Sequence, residues 1–150
     1  MKRILLVMIA CCTLIACSSP DEEEIRAGKY GMMSSDTPQY TAILFMRAVY
    51  NDKNIDRVVR LSTKRFGRII KGHYTNSNVQ RQVFNLRLDR MEAEPVSGGS
   101  LLFSELLENA EIEIKIIGYR GDKKITELKT LSMVKISGDW KVKGVSNTVP

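Results

Sequence analysis

The hydrophobic pattern of the chain begins with an N-terminal apolar run that has polar residues on both sides. Lys2 and Arg3 precede the run, which covers residues 4–15, and an acidic cluster lies over residues 21–24. A positive start, a short apolar run and a polar boundary are the layout of a secretory signal peptide. A membrane-spanning helix needs about 20 residues, and this run is shorter. We therefore predict a secretory signal peptide at the N-terminus, with an uncleaved membrane anchor as the alternative.

Residues 17–36 show little periodicity and are rich in Gly and Ser, so we predict a flexible tether before a single domain over residues 37–150. The first helix is predicted to start at Thr37-Pro38, because Thr is a good N-cap and Pro suits the first helical position. A polar break over residues 51–54 ends it. A second helix is predicted over residues 55–71, closed by Gly72.

The second predicted helix is amphipathic. At 100° per residue its apolar positions fall within an arc of about 120°, and its basic positions lie opposite, so the helix packs one face on a core. Gly67 interrupts the pattern and is the candidate position at which the helix would divide into two shorter helices. The basic side chains form a candidate surface for anionic partners: Arg57, Arg60, Lys64, Arg68 and Lys71.

From residue 83 the hydrophobic period changes from helical to two, which indicates strands. Alternation predicts a first strand from Phe84 to Pro95, a second around 112–116 with a bulge at 117–119, and a third over 125–136. A Ser137-Gly138-Asp139 turn leads to a last strand over 140–145. Residues 97–109 are ambiguous between a helix and a strand edge. The fold class predicted is α+β, with the N-terminal helices packed on one face of an antiparallel sheet.

The end of the apolar run, Leu14-Ile15-Ala16-Cys17, resembles the lipobox of bacterial lipoproteins. The resemblance implies that the Cys17 thiol receives a diacylglyceryl thioether, that the signal peptide over residues 1–16 is cut off before Cys17, and that the new amine is acylated, for instance with palmitate. A plain signal peptide without lipid attachment is the alternative. Ser18, rather than Asp, follows the cysteine, as in lipoproteins that are passed to the outer membrane. The expected location is therefore the outer membrane, facing the periplasm.

The order of two helices, a strand and a final hairpin containing Gly138-Asp139-Trp140-Lys141-Val142 resembles the nuclear transport factor 2-like, or cystatin-like, fold over residues 37–147. Small bacterial lipoproteins of uncharacterised function carry such a domain. The resemblance implies a curved, cone-shaped antiparallel sheet. It does not imply one function, because this fold serves isomerases, cyclases, dehydratases and binding modules alike.

Composition limits the chemistry. All three cysteines lie in or next to the signal peptide, so the folded part has no thiol for catalysis or metal binding. The formal charge of +6 falls to +4 without Lys2 and Arg3, because 21 basic and 17 acidic side chains remain. So mild a balance, together with an export signal, argues against a nucleic-acid partner. It is compatible with attraction to anionic lipid headgroups or polymers.

Few residues suggest catalysis. Asp89 is placed where an enzyme of the resembled fold would carry a base, but it shares parity with polar residues and is expected at the surface. His73 follows the predicted helix end, where a cation favours the helix dipole. With a single His and no mature Cys, we predict no metal site and no cofactor. Four aromatic residues are candidates for lining a ligand pocket, with core packing as the preferred interpretation: Tyr40, Tyr50, Tyr74 and Trp140.

The function expected from the sequence is a lipid-anchored binding or interaction module of the cell envelope without catalytic activity, attached to the membrane and contacting an envelope protein or an anionic polymer. The alternatives are a small-molecule carrier or enzyme that uses a cone-shaped pocket, and an assembly factor for an envelope machine. Five residues are predicted to be largely buried: Phe66, Ile69, Ile112, Ile114 and Trp140.

Overall fold

Helices precede a four-stranded antiparallel sheet in the computed structural model, which describes residues 36–96 and 108–147. The predicted signal peptide, Cys17, nearly all of the tether and the ambiguous segment around 97–107 lie outside the described residues. The elements are α1 (Pro38–Asn51), α2 (Asp56–Arg60), α3 (Lys64–Gly72), α4 (Asn76–Gln82), β1 (Arg90–Pro95), β2 (Asn109–Arg120), β3 (Lys123–Ile136) and β4 (Asp139–Asn147).

Helix α1 begins where the sequence predicts. Thr37 is the N-cap, and its Oγ1 accepts a hydrogen bond from the backbone N–H of Tyr40 at 3.3 Å. The helix is buried on most sides, because other helices and the sheet surround it. Phe45, at its centre, lies 6.2 Å from the ring centroids of both Phe66 and Phe84. These three rings join α1, α3 and the segment after α4 in one core.

The predicted second helix is two helices, and the break lies at residues 61–63 rather than at Gly67. Thr63 has extended backbone, and its Oγ1 caps α3 by accepting from the N–H of Phe66 at 3.2 Å. The backbone of Val142 on β4 completes the break: its N–H donates to Leu61 O at 2.8 Å, and its carbonyl accepts from the N–H of Thr63 at 2.9 Å. A contact distant in sequence therefore competes with helix propagation.

Helix α4 was not predicted from the sequence. Its residues, NSNVQRQ, show little apolar periodicity, and only Val79 is a buried apolar side chain. Polar contacts replace the missing apolar stripe. Gln80 Nε2 donates to Val49 O at 3.1 Å, and Asn76 Nδ2 lies within 3.1 Å of the carbonyls of Ala48, Asp52 and Asn54. These bonds fix α4 to the end of α1.

The strand predicted from Phe84 is wrong in its first half, because β1 begins at Arg90. Asn85 has a φ of +49°, and Leu86 N donates to Gln80 O at 2.9 Å, so residues 84–88 follow a turn rather than a ladder. Their alternation is still meaningful: Phe84, Leu86 and Leu88 are all buried. Period-two burial can thus arise from an irregular segment that leans on a core.

The four strands pair in the order β1-β2-β3-β4, all antiparallel. The bulge predicted at 117–119 is absent, since β2 pairs with β3 in unbroken register from Asn109 to Arg120. Gly118 simply continues the core-facing side. The irregularity lies between β3 and β4 instead, where Ser132 pairs with Gly144 and Met133 with Val142. The prediction of an α+β fold with an antiparallel sheet is confirmed, and the sheet is open.

The core lies between the helices and one face of the sheet. Four of the five residues predicted to be buried are buried: Phe66, Ile112, Ile114 and Trp140. The prediction that Ile69 is buried is wrong, because this residue is 51% exposed on α3. The split of the predicted helix changes which arc faces the core, so a periodicity computed over 55–71 assigns Ile69 to the wrong side. No helix among the described residues is long and apolar enough to cross a membrane.

Candidate functional site

The five basic residues predicted as one stripe do not form one surface. The charge of Arg57 is neutralised, because its Nη2 forms a 2.8 Å ion pair with Asp52 Oδ1. Arg60 is exposed at the end of α2, and its carbonyl accepts from Lys141 Nζ at 3.2 Å. The other three, Lys64, Arg68 and Lys71, share one face of α3, since they lie at steps of four and three residues.

These three cations border a groove between α2 and α3, called here the basic groove. Its volume is about 430 Å³, and its surface is mostly apolar. It is lined by Val59, Ser62, Thr63, Lys64, Gly67, Arg68 and Lys71.

The residues of the α2–α3 break shape the groove. Ser62 is buried and its hydroxyl donates to Val58 O at 2.7 Å, which ties the break back to α2. Thr63 starts α3 in a new direction through its cap. Val59 packs close to Gly67, since a Cβ on the glycine would lie 3.4 Å from Val59 Cγ1. The helix split, which the sequence did not place, is what creates this concavity.

The three cations that border the groove have no carboxylate partner among the residues that the structure describes. Lys64, Arg68 and Lys71 are all exposed. Long basic side chains cover apolar surface with their methylene groups while the charged ends stay in water, which fits a groove with an apolar floor and a cationic rim. Chemically, such a groove suits a ligand that is apolar at one end and anionic at the other.

A second polar cluster, which sequence reasoning missed, lies on the core-facing side of the sheet. Lys129 on β3 is only 3% exposed, yet it is charged. Its Nζ lies 2.9 Å from Glu127 Oε2 and 2.6 Å from Asn147 Oδ1. Burying an ammonium is costly unless it is paired, and these two acceptors supply the pairing.

Tyr50, at the end of α1, belongs to the same region. Its hydroxyl donates to Leu86 O at 2.8 Å. Burial raises the pKa of the Tyr50 hydroxyl well above its ordinary value, and the negative charge of Glu127 raises it further. A signal for this cluster was present in the sequence, because Glu127 and Lys129 share strand parity with Leu131 and Met133, which are buried.

The candidate acid and base residues lie apart from both places. Asp89 is exposed, and its Oδ2 accepts the backbone N–H of Gly121 at 2.8 Å, so its carboxylate stabilises the β2–β3 turn. His73 is the C-cap of α3, as its place after Gly72 predicted. Among the described residues, no group of three or more His, Cys, Asp or Glu side chains is placed to hold a metal ion.

The aromatic residues considered as a pocket lining have different surroundings. Trp140 is buried, and its Nε1 donates to Asp36 O at 3.1 Å. Tyr74 is 83% exposed with a φ of +64°. Tyr50 packs edge-on against Phe84 at 6.0 Å between ring centroids. The structure therefore assigns Trp140 and Tyr50 to packing and places Tyr74 at the surface.

A further cleft lies at the β1–β2 end of the sheet. It has a volume of about 540 Å³ and lies beside a cross-strand pair in which the Arg90 guanidinium stands 5.5 Å from the Tyr119 ring centroid. Glu92 and Lys124 also line it, so its charges are mixed. Such a lining favours no single class of ligand, in contrast to the uniform charge of the basic groove.

No protein-family model matches the chain, and no curated protein matches it either. Among solved structures, its fold is similar to the solution structure of a SEC-C motif-containing protein from Rhodopseudomonas palustris, with a TM-score of 0.52 and 12% sequence identity. The similarity covers 78% of this chain and 83% of that one. At this identity the likeness concerns the fold alone.

This neighbour corrects the resemblance drawn from the sequence. The structural match is a SEC-C motif-containing protein, not a nuclear transport factor 2-like lipoprotein. The sequence motif that carried the earlier resemblance, a Gly-Asp-Trp-Lys-Val hairpin, is a local feature of many antiparallel sheets, because it satisfies turn geometry and cross-strand packing rather than one topology. What the comparison supports is a mixed α+β fold of this kind.

Proposed function

We propose that the chain is a lipid-anchored binding module of the cell envelope that acts without catalysis. In this proposal Cys17 carries the lipid, the mature protein is attached to the outer membrane facing the periplasm, and the basic groove contacts an anionic surface there. The proposal rests on one observation above all: Lys64, Arg68 and Lys71 lie together around a groove without a carboxylate partner among the described residues.

The free energy of electrostatic attraction can be given an order of magnitude. A Lys or Arg side chain near an anionic membrane contributes about 1 kcal/mol of attraction. Three such residues together therefore account for about 3 kcal/mol, which corresponds to roughly a hundredfold in affinity. The contribution is screened by salt over about 8 Å at physiological ionic strength, so binding of this kind must weaken as salt is added.

The test is binding of the full chain, carrying Cys17→Ser, to vesicles with and without anionic lipid and to an anionic polymer. We expect binding to anionic vesicles that falls with salt, and a loss of at least about a hundredfold when Lys64, Arg68 and Lys71 are changed together to Glu, because the change removes three attractive charges and adds three repulsive ones. The matched control reverses three exposed cations elsewhere: Lys53, Arg87 and Lys124. Equal losses in the two triple variants would show that net charge alone matters and would contradict the proposal.

Anchoring is tested separately. Wild-type protein should take up radiolabelled palmitate in cells, and Cys17→Ser should abolish the label and leave an unprocessed or soluble species. Label that persists in the variant would refute the role of Cys17. Fractionation that finds the wild-type protein in the inner membrane alone would refute the location in the outer membrane.

A small-molecule carrier is the second candidate, and the buried Lys129 favours it. An ammonium with three donors has two acceptors here, from Glu127 and Asn147. In this candidate a cone-shaped sheet would hold a small anion against Lys129. Native mass spectrometry of protein isolated from the envelope tests it: a bound small molecule lost in Lys129→Met supports the carrier. An unliganded wild type argues against it. An assembly role would instead appear as a stable envelope complex in a pull-down.

A further inference from the structure

The basic groove combines two kinds of surface that one ligand would have to match. Val59 and the side-chain-free Gly67 line it and give it an apolar part, called here the floor. The methylene groups of long basic side chains add apolar surface to such a floor. Its rim carries the charges of Lys64, Arg68 and Lys71. At about 430 Å³ it lies within the range of small-molecule sites, about 300–1,000 Å³. A simple anion would make no use of the apolar floor, and a neutral lipid would make no use of the positive charges at the rim.

Gly67 keeps the floor open. In a helix interior Gly is less favourable than Ala by about 1 kcal/mol, so its presence in the middle of α3 needs a reason. Its backbone is helical and does not require glycine. A Cβ at this position would stand at ordinary contact distance, 3.4 Å from Val59 Cγ1 and 3.5 Å from Val59 O, so alanine fits there. A longer side chain would take up space in the groove.

The charge of the rim is available to a ligand. Arg57, a few residues earlier, shows the contrast, because Asp52 neutralises it at 2.8 Å. Lys64, Arg68 and Lys71 have no such partner in the described part of the chain. Three cations on one side of a helix match the phosphate of a lipid headgroup, which accepts several hydrogen bonds at once.

From these observations we infer that the basic groove binds a single anionic phospholipid, with an acyl chain along the floor of Val59 and Gly67 and the phosphate against Lys64, Arg68 and Lys71. The inference deepens the proposed function and rests on it, since it names the molecule that the anionic surface presents. It differs from simple attraction to a charged surface, because it requires the apolar floor as well as the charge.

The experiment uses the full chain with Cys17→Ser and dihexanoyl phosphatidylglycerol below its micelle concentration, followed by NMR of the Val59 methyl and Gly67 amide signals. We expect saturable shifts at both residues. Three comparison ligands separate the contributions: glycerol phosphate has no acyl chain, dihexanoyl phosphatidylcholine has no net charge, and octanoate has an acyl chain without phosphate. Each is expected to bind at least about tenfold more weakly.

Gly67→Leu fills the floor and keeps every charge, so it should weaken binding of the short-chain lipid at least about tenfold while binding to anionic vesicles is retained. Gly72→Leu is the matched control, because a Cβ at Gly72 meets nothing within 4 Å. Gly67→Ala, which adds only one carbon, should have a smaller effect and serves if the leucine variant does not fold.

Several results would overturn the inference. Unchanged short-chain binding in both Gly67 variants, shifts confined to other parts of the chain, or glycerol phosphate binding as well as the lipid would each do so. A peptide of residues 20–26, which carries the acidic cluster, would overturn it by displacing the lipid at equal concentration, since the groove would then belong to the chain's own segment. If these tests fail while charge reversal still abolishes vesicle binding, the proposed function stands without the lipid site.

Discussion

Lys129 and Asn147 lie opposite each other on β3 and β4, and the lysine Nζ donates a 2.6 Å hydrogen bond to the asparagine Oδ1. The lysine side chain is 4% exposed, whereas that of its ion-pair partner Glu127 is 38% exposed. Loss of the ion pair therefore affects the buried lysine more than the partly exposed glutamate. Lys129 needs its acceptors, but the Glu127 carboxylate has access to water.

This inequality predicts the effect of removing each partner. Glu127→Ala leaves a buried ammonium with one acceptor and should lower the free energy of unfolding by about 2 kcal/mol. Lys129→Met keeps the volume and leaves a carboxylate that water can hydrate, so its effect should stay within about 1 kcal/mol. Urea unfolding of both variants measures this. A larger loss for Lys129→Met than for Glu127→Ala would contradict the assignment of burial.

Trp140 connects the last hairpin to the core. It is 4% exposed and donates to Asp36 O, so Trp140→Ala should lower the free energy of unfolding by about 3–5 kcal/mol. Trp140→Phe is the control, since it keeps most of the apolar contact and should cost less. Thermal unfolding distinguishes the two. A loss below about 1 kcal/mol for the alanine variant would mean that the hairpin does not contribute to the core.

Gly118 is required by close packing rather than by backbone conformation. A Cβ there would lie 2.5 Å from Leu88 Cδ1 and 2.6 Å from Arg90 O, and the second atom is backbone that cannot move aside. Gly118→Ala should therefore destabilise the fold by about 1–3 kcal/mol. Gly144→Ala, on β4, is the control, because a Cβ there meets nothing within 4 Å. Similar unfolding midpoints for the two variants would disprove the close contact.

The buried Tyr50 hydroxyl is expected to make the stability of the fold depend on pH in the alkaline range. Its pKa is raised in the folded state, so above about pH 10 the unfolded chain releases the phenol proton while the folded chain retains it. Stability conferred by the neutral hydroxyl is complete below that pH and is lost as the pH rises, with a slope of at most about 1.4 kcal/mol per pH unit.

Tyr50→Phe removes this dependence. At neutral pH the variant should be less stable by about 1 kcal/mol, because the bond to Leu86 O is lost. Above about pH 10 the difference between the wild type and Tyr50→Phe should shrink. Denaturant unfolding from pH 7 to 11 tests this. A difference that stays constant over the alkaline range would show that the hydroxyl ionises as easily in the folded chain as in the unfolded one.

Several elements could be predicted correctly because their signals are local in the sequence. The cap at Thr37-Pro38 started α1 correctly, and alternation identified the core-facing Ile112, Ile114 and Ile116. The hairpin turn at Ser137 and Gly138, both with positive φ, followed from turn chemistry. The α+β class followed from the order of these elements. Such features depend on neighbours within a few residues, so they can be read without knowing the fold.

Tertiary contacts decided the rest. Val142 bonds to Leu61 and Thr63 and breaks a helix that periodicity made continuous, and this break both exposes Ile69 and opens the basic groove. Helix α4 forms because Asn76 and Gln80 reach carbonyls of distant residues, which no apolar stripe announces. The pairing of Arg57 with Asp52 reduced the predicted stripe. Hydrogen bonds and ion pairs between segments far apart in sequence select among locally equivalent structures, and only the folded chain contains them.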